Sequence, residues 1–364
     1  MTKFTSKIQM QLPVKSISAQ QLRQIPNTRY FKIYEKDAVL KPLFPYEEKG
    51  TNRHVKFEES FVLEVPNSII VGLDGYVVFE GKQVIEETTR RWHHYSDHKL
   101  FQNGVISEVE TIEKTVAVIA ASASQCFTHW MLHILPRLKL LMESGLTYDY
   151  LYVPKLTYAF QKDTLEFIGI DNSKLIEAEN DTVIKANKVI VPSLIYGVAA
   201  VRPSWACQFV KDTFLPTNER KSTTKRRLYI SRKISTTKGY RRYVVNEKEV
   251  LFYLESLGFE QVIMEDYSVV RQAKLFSESE IIVAAHGAAL TNVIFCKPGT
   301  KVFEIFMQRH LCESYFCIGM QSQLDHHCLL SADELLTEEQ RKIGDIHIPL
   351  DELKNKLDIP TVEI

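Results

Sequence analysis

Ile281-Ile282-Val283-Ala284-Ala285-His286-Gly287-Ala288-Ala289-Leu290-Thr291-Asn292 reads as a buried strand passing through a small-residue turn into a helix. Ile281 to Ala285 is apolar without alternation, the pattern of a parallel strand covered on both faces. Gly287 is expected to turn the chain tightly, and the small Ala288 and Ala289 to leave the first helical N–H groups reachable by an anion. Lys297-Pro298-Gly299 ends the helix, and Lys301 to Phe306 reads as the next strand, with Glu304 inside it. The unit is a β-α-β crossover suited to a phosphate, although many α/β folds turn on Gly-Ala for packing alone.

The same rhythm extends upstream. Leu228-Tyr229-Ile230 and Gln261 to Met264 read as strands, and Ser268 to Phe276 as a helix. A further helix opens at Asn246, where Glu249 suggests a capping box, and stops at Gly258. Before a polar, proline-bearing linker near Leu215 to Thr224, another alternation begins with the strand Val116 to Ala121 and an amphipathic helix from Thr128 to Ser144. Residues 1–113 carry strand and turn signals instead, as in Phe61 to Val65 and Tyr76 to Phe79. The expected division is a β-rich segment (1–113), an N-terminal Rossmann-like acceptor domain (114–217), a C-terminal Rossmann-like donor domain (218–340) and a terminal helix (341–364). Two such open sheets facing each other would make a cleft at their strand C-termini.

Charge is balanced overall, with 45 Lys+Arg against 45 Asp+Glu in 364 residues, so no global field recruits nucleic acid or an anionic membrane. Locally it is not: ten Lys or Arg and no acid lie between Arg220 and Arg242. RNA binding would use the same charge, but the only interleaved aromatics are Tyr229 and Tyr240, with Tyr243 just beyond. There is no Walker motif or full G-x-G-x-x-G, and no Asp-x-Asp to hold a divalent cation against a diphosphate. No secretory signal or membrane span is legible, and the six dispersed cysteines read as reduced thiols. The expected location is the cytoplasm, with peripheral attachment to the inner face of a membrane left open. Asp325-His326-His327-Cys328 spells the signature of membrane protein acyltransferases without their spans or cysteine array, and is read as coincidence.

The basic loop and the Gly287 turn both follow strands of one expected sheet. Arg232, Arg241 and Arg242 would then neutralise a diphosphate while the amides of Ala288, Ala289 and Leu290 donate to its oxygens, unless the loop is merely solvated. Glu304 is a candidate acceptor for ribose hydroxyls or a residue on a solvent face. His286 is a candidate ligand of phosphate or sugar, or a turn cap. His129 and His133, four apart on one helix, share the spacing of a zinc pair, but Trp130 stands where the metalloprotease pattern requires Glu. General-base chemistry by His129 and a structural histidine both remain open.

Taken in order, these pieces resemble glycosyltransferase family 61, a group of plant, animal and bacterial enzymes. They are Val65-Pro66-Asn67 with Gly72 and Gly75, His129-Trp130, and Leu135-Pro136-Arg137-Leu138. Tyr229-Ile230-Ser231-Arg232, Arg241-Arg242, Asn246-Glu247 and His286 to Asn292 follow, with Pro298-Gly299 and Glu304. The resemblance implies a GT-B fold of two facing Rossmann-like domains and a nucleotide-sugar donor, UDP-linked by family habit. Donor-site residues would include Ser231, Leu290, Thr291 and Asn292. It further implies inverting transfer to a glycan, polysaccharide or glycolipid hydroxyl, without cofactor or obligatory metal and without a nucleic-acid partner. The family commonly has an acid where this chain has His133, so the base is His133 or, matching the pattern, His129. Alternatively the chain is a non-catalytic nucleotide- or glycan-binding protein of the same fold. Sugar, linkage and oligomeric state are not legible.

Overall fold

The computed structural model describes residues 5–9, 15–46, 52–88, 96, 101–102, 105–195, 201–217, 222–232 and 242–359. It is a mixed α/β protein whose chain divides into two compact units. The first comprises Met1–Ala38, Lys56–Gly197 and Arg202–Val210; the second Val39–Val55, Val198–Val201 and Lys211–Ile364.

The strands up to the middle of the chain are β1 (Thr5–Gln9), β2 (Lys15–Ile17), β3 (Arg29–Tyr34), β4 (Asp37–Lys41), β5 (Arg53–Phe57), β6 (Ser60–Val71), β7 (Tyr76–Phe79), β8 (Gln83–Ile85), β9 (Val105–Val118), β10 (Tyr150–Pro154), β11 (Leu175–Ala178) and β12 (Val183–Pro192). β4 and β5 pair as a separate ribbon, and the rest form one sheet in the order β11-β10-β9-β12-β6-β7-β8-β2, with β1 on β9 and β3 on β6. β11-β10-β9-β12 is a run of parallel neighbours, β6 and β7 add to it antiparallel, and β2 pairs parallel with β8 at the far edge. The boundary expected at residue 113 therefore does not exist: β9 runs through it, and the early hairpins extend the same sheet. Alternation explains why both faces are covered. Along β7, Val77 and Phe79 join one apolar cluster with Leu63, Val116 and Val189, while Tyr76 and Val78 join another with Ile69 and Val109. Gly75 (φ 66°) has to be glycine, because a Cβ there would lie 2.9 Å from that of Ala120.

The helix expected over Thr128–Ser144 is broken into Phe127–His129, a π turn Trp130–Ile134, and Leu135–Ser144, closed by left-handed Gly145. Pro136 has no N–H for the carbonyl of Leu132, and Leu135 N instead reaches back to Trp130 O, widening the turn.

The second unit holds β13 (Arg226–Ser231), β14 (Phe259–Ile263), β15 (Ser279–Ala285), β16 (Lys301–Phe306) and β17 (Asp325–Leu330). All are parallel, in the order β14-β13-β15-β16-β17. Counted within the unit this is 2-1-3-4-5, a doubly wound sheet whose direction of travel reverses between β13 and β15. The apolar runs of β13 and β15 are buried because helices cover both faces, and Tyr229, Val283, Phe303, Val250 and Leu254 share one cluster. Leu353 and Leu357 of the helix Leu350–Leu357 pack into that cluster, so this helix belongs to the unit.

The capping box expected at Asn246 is not formed. The Asn246 side chain instead clamps the late segment, donating to Ile348 O (2.9 Å) and accepting from Ile348 N (3.0 Å). A backbone bridge between Val244 and Ile346 adjoins this clamp.

Candidate active site

Ligands of open α/β sheets bind beyond the strand C-termini at the point of reversal, which here is the gap between Ser231-Arg232 and Ala285-His286-Gly287. Arg232 crosses it, its Nη1 donating to His286 O at 2.8 Å. Gly287 is extended (φ 175°, ψ 168°), so the backbone itself does not call for glycine, contrary to the tight turn expected from the sequence. The requirement is room: a Cβ would sit 2.7 Å from Arg232 Nη1 and 3.0 Å from its Cζ.

Burial, together with the nearby Arg242, pushes the Arg232 guanidinium below its ordinary value. Glu265 and Tyr315 act on it in the opposite sense, but among the described residues no carboxylate forms an ion pair with it. Arg242 is itself in the left-handed region (φ 51°), a conformation costing a non-glycine residue about 1–2 kcal/mol. The next residue is fixed by Tyr243 N donating to Asp345 Oδ1 (3.2 Å) and by Ile346 N donating to Tyr243 O (2.8 Å). Arg241 lies outside the described residues.

His286 is buried, its ring centroid 5.7 Å from that of His310 and 5.1 Å from Tyr315. Burial, Arg242 and His286 push His310 below its ordinary value. Arg242 is therefore in electrostatic reach of both Arg232 and His310, and His286 of His310. His310 and Tyr315 were missed by sequence reasoning, although the position of His310 just beyond β16, at the ligand-binding edge, was a usable signal.

Glu304 does not face solvent as an acceptor for ribose. It is fully buried, with Oε1 at 2.5 Å from His286 Nδ1 and Oε2 at 2.9 Å from His326 Nε2. Burial pushes Glu304 up, partly offset by His286, and pushes His326 down to about 3. His326 comes from the Asp-His-His-Cys stretch, which is simply β17 with Asp325 exposed and the His327 ring stacked on Phe303.

Other members of the expected donor set have structural partners. Ser231 Oγ donates to Glu247 Oε1 at 2.7 Å, beside the Tyr229 hydroxyl at 3.1 Å from the same atom. Ala288–Phe295 is a 3₁₀ helix rather than an α-helix, with Ala288 and Ala289 partly exposed at its start and Leu290, Thr291 and Asn292 buried. Asn292 Nδ2 donates to Gln272 Oε1 at 2.9 Å, tying this helix to Val269–Ser277.

In the first unit, His129 and His133 lie across the π turn with Nδ1 atoms 3.0 Å apart and rings nearly parallel (24°). His133 is buried and His129 half-buried. Trp130 anchors the turn, its Nε1 donating to Thr164 Oγ1 at 2.8 Å. Arg137 is completely buried and gives Nη1 to Ile119 O and Ala120 O (3.0 and 2.6 Å) and Nη2 to Pro192 O (2.8 Å). It ties the residues that follow β9 to the last residue of β12.

The family model described as Glycosyltransferase 61 matches residues 127–303, spanning the histidine pair, Arg232 and the Gly287 segment. This match supports membership of glycosyltransferase family 61, and that family points to glycosyltransferase activity. A search of curated proteins gave no match.

Proposed function

We propose that this protein transfers a sugar from a nucleotide-sugar donor, UDP-linked by preference, to a hydroxyl of a glycan, polysaccharide or glycolipid. The reading takes the two units as the halves of a GT-B enzyme working without obligatory metal, by single displacement with inversion. The observation that carries it is the cluster of Arg232, Arg242, His286 and His310 at the reversal point of a doubly wound sheet. Arg232 there has no carboxylate partner among the described residues. Burial and Arg242 make both Arg232 and His310 costlier to charge, an anion bound beside them offsets that cost, and a leaving diphosphate is such an anion.

In this mechanism the acceptor hydroxyl loses its proton to His129 while attacking the anomeric carbon. With Nδ1 committed to His133, the chemistry of His129 toward substrate passes through Nε2. Arg232, Arg242 and the amides opening the 3₁₀ helix stabilise the charge growing on the diphosphate. No helix among the described residues is long and apolar enough to cross a membrane. A lipid-linked acceptor would be met at the membrane surface, by a protein acting from the cytoplasm.

The test is a thermal-shift and transfer screen against nucleotide sugars, with Arg232→Ala alongside. A donor that binds the folded state raises the wild-type midpoint in proportion to its affinity. The variant should keep the unliganded midpoint and lose about 100- to 1,000-fold in turnover. Absence of any donor shift, or wild-type turnover in the variant, would overturn the assignment. Donor binding without transfer or hydrolysis would favour the non-catalytic reading.

A further inference from the structure

The chain of side chains behind His286 has no role in the scheme above. His286 Nδ1 meets Glu304 Oε1 at 2.5 Å, Glu304 Oε2 meets His326 Nε2 at 2.9 Å, and His326 Nδ1 is buried without a hydrogen-bond partner. The far end is closed by the helix Ser314–Gln321, where a Cβ on Gly319 would lie 2.3 Å from His326 Nδ1. With His326 neutral, its one N–H is on Nε2 and donates to Glu304, leaving the carboxylate's other oxygen for His286. Such a carboxylate fixes the tautomer of the imidazole and supports a positive charge on it.

We propose that His286, held by the buried Glu304–His326 pair, protonates the diphosphate as it leaves, with Glu304 and His326 as positioning residues. This rests on the donor-site reading above and assigns it a proton source. As the bond from the anomeric carbon to the phosphate oxygen breaks, its electron pair goes to that oxygen, which takes the proton from His286 Nε2. The acceptor oxygen forms the new bond and its proton goes to the base; the base later returns a proton to solvent, His286 regains one from solvent, and the released diphosphate ionises in solution, so the one proton set free overall is the acceptor hydroxyl's.

The groups facing the relay include two acids at its margins, Asp325 acting on His326 and Glu265 acting on Arg232, and are otherwise cationic or neutral. Arg232 and Arg242 lie on the strand-end side, His310 follows β16, and Tyr315 projects from the helix beyond it. Cys328 of β17 lies near Glu304, which with burial and Cys317 pushes the thiol up. Glu304 is thus the acid built against His286, and an arriving diphosphate offsets Arg232 and Arg242 while a proton joins Nε2.

The experiment is calorimetric titration with UDP, and with GDP in parallel, near neutral pH in two buffers of different ionisation enthalpy, which counts protons taken up on binding. The wild type should take up a substantial fraction of one proton. Glu304→Gln should keep its melting midpoint, bind several-fold more weakly and lose the uptake, and its pH–rate profile should shift. A side chain serving only packing would move neither the uptake nor the profile. His286→Asn should also lose the uptake and about 100-fold in kcat with a much smaller change in donor KM, and it carries the test if Glu304→Gln does not fold. Tight wild-type binding without proton uptake would overturn this proposal and leave the donor site standing. Failure of the wild type to bind either nucleotide would remove both.

Discussion

Arg137 in the first unit and Arg232 in the second both stand where parallel strands release their last carbonyls, yet they are furnished differently. Arg137 is sealed from solvent and donates to three carbonyls, two from the residues that follow β9 and one from the last residue of β12. Arg232 is partly exposed and donates to one, with no carboxylate paired to it among the described residues. Motif position alone does not separate the two, since both belong to the short runs that carry the family resemblance. The acceptors around each guanidinium do: one holds the fold and the other awaits a ligand.

The largest expected effect lies with the buried arginine. Arg137→Leu strands three buried carbonyls and should cost about 3–5 kcal/mol, lowering the melting midpoint by roughly 10 °C. Calorimetry showing an unchanged midpoint would mean that the arginine does not hold the strand ends.

On the ligand side, Gly287→Ala should leave the midpoint near wild type while displacing Arg232. Turnover should fall by about 10- to 100-fold, corresponding to roughly 1.4–2.7 kcal/mol. In an Arg232→Ala background the same change should add nothing, because both act through one contact. Additive losses in that double-mutant cycle would show that the glycine serves another purpose.

The smallest effect concerns an acid that does have its cations. Burial pushes Glu64 up, but Arg29, bonded through two nitrogens at 3.0 and 2.6 Å, and Lys188 outweigh it and hold it below its ordinary value. Its stabilisation is therefore complete above the unfolded value, near ~4.3, and is lost as pH falls through the folded one. Because Arg29 is more than half exposed, the pair contributes no more than about 1 kcal/mol. Urea denaturation should find Glu64→Gln weaker at pH 7, with the gap narrowing as pH falls below the unfolded value; a gap independent of pH would mean that charge is not the cause.

How much of this was legible in the sequence depended on whether the signal was local. The run Ile281–Ala285 announced β15 because burial on both faces leaves no alternation to confuse it. The capping role expected of Asn246 failed because a partner about a hundred residues away, Ile348, took its side chain. Glu304 looked like an exposed acid because nothing nearby in sequence shows that His286 and His326 flank it, a fact of strand order. The division at residue 113 failed for the same reason: hairpin signals describe strands but not which sheet they join. Gly287 stands out in the sequence as a turn residue, but what requires it is spatial: its neighbour is a side chain 55 positions earlier.

Gly319 gives the buried relay a blind end. Backbone fills the space beyond His326, so a proton that reaches Glu304 has no second exit and must return through the ring by which it came. The carboxylate is thereby a reservoir rather than a wire: it can lend charge to one face of one imidazole, and it cannot leak that charge to bulk water between turnovers.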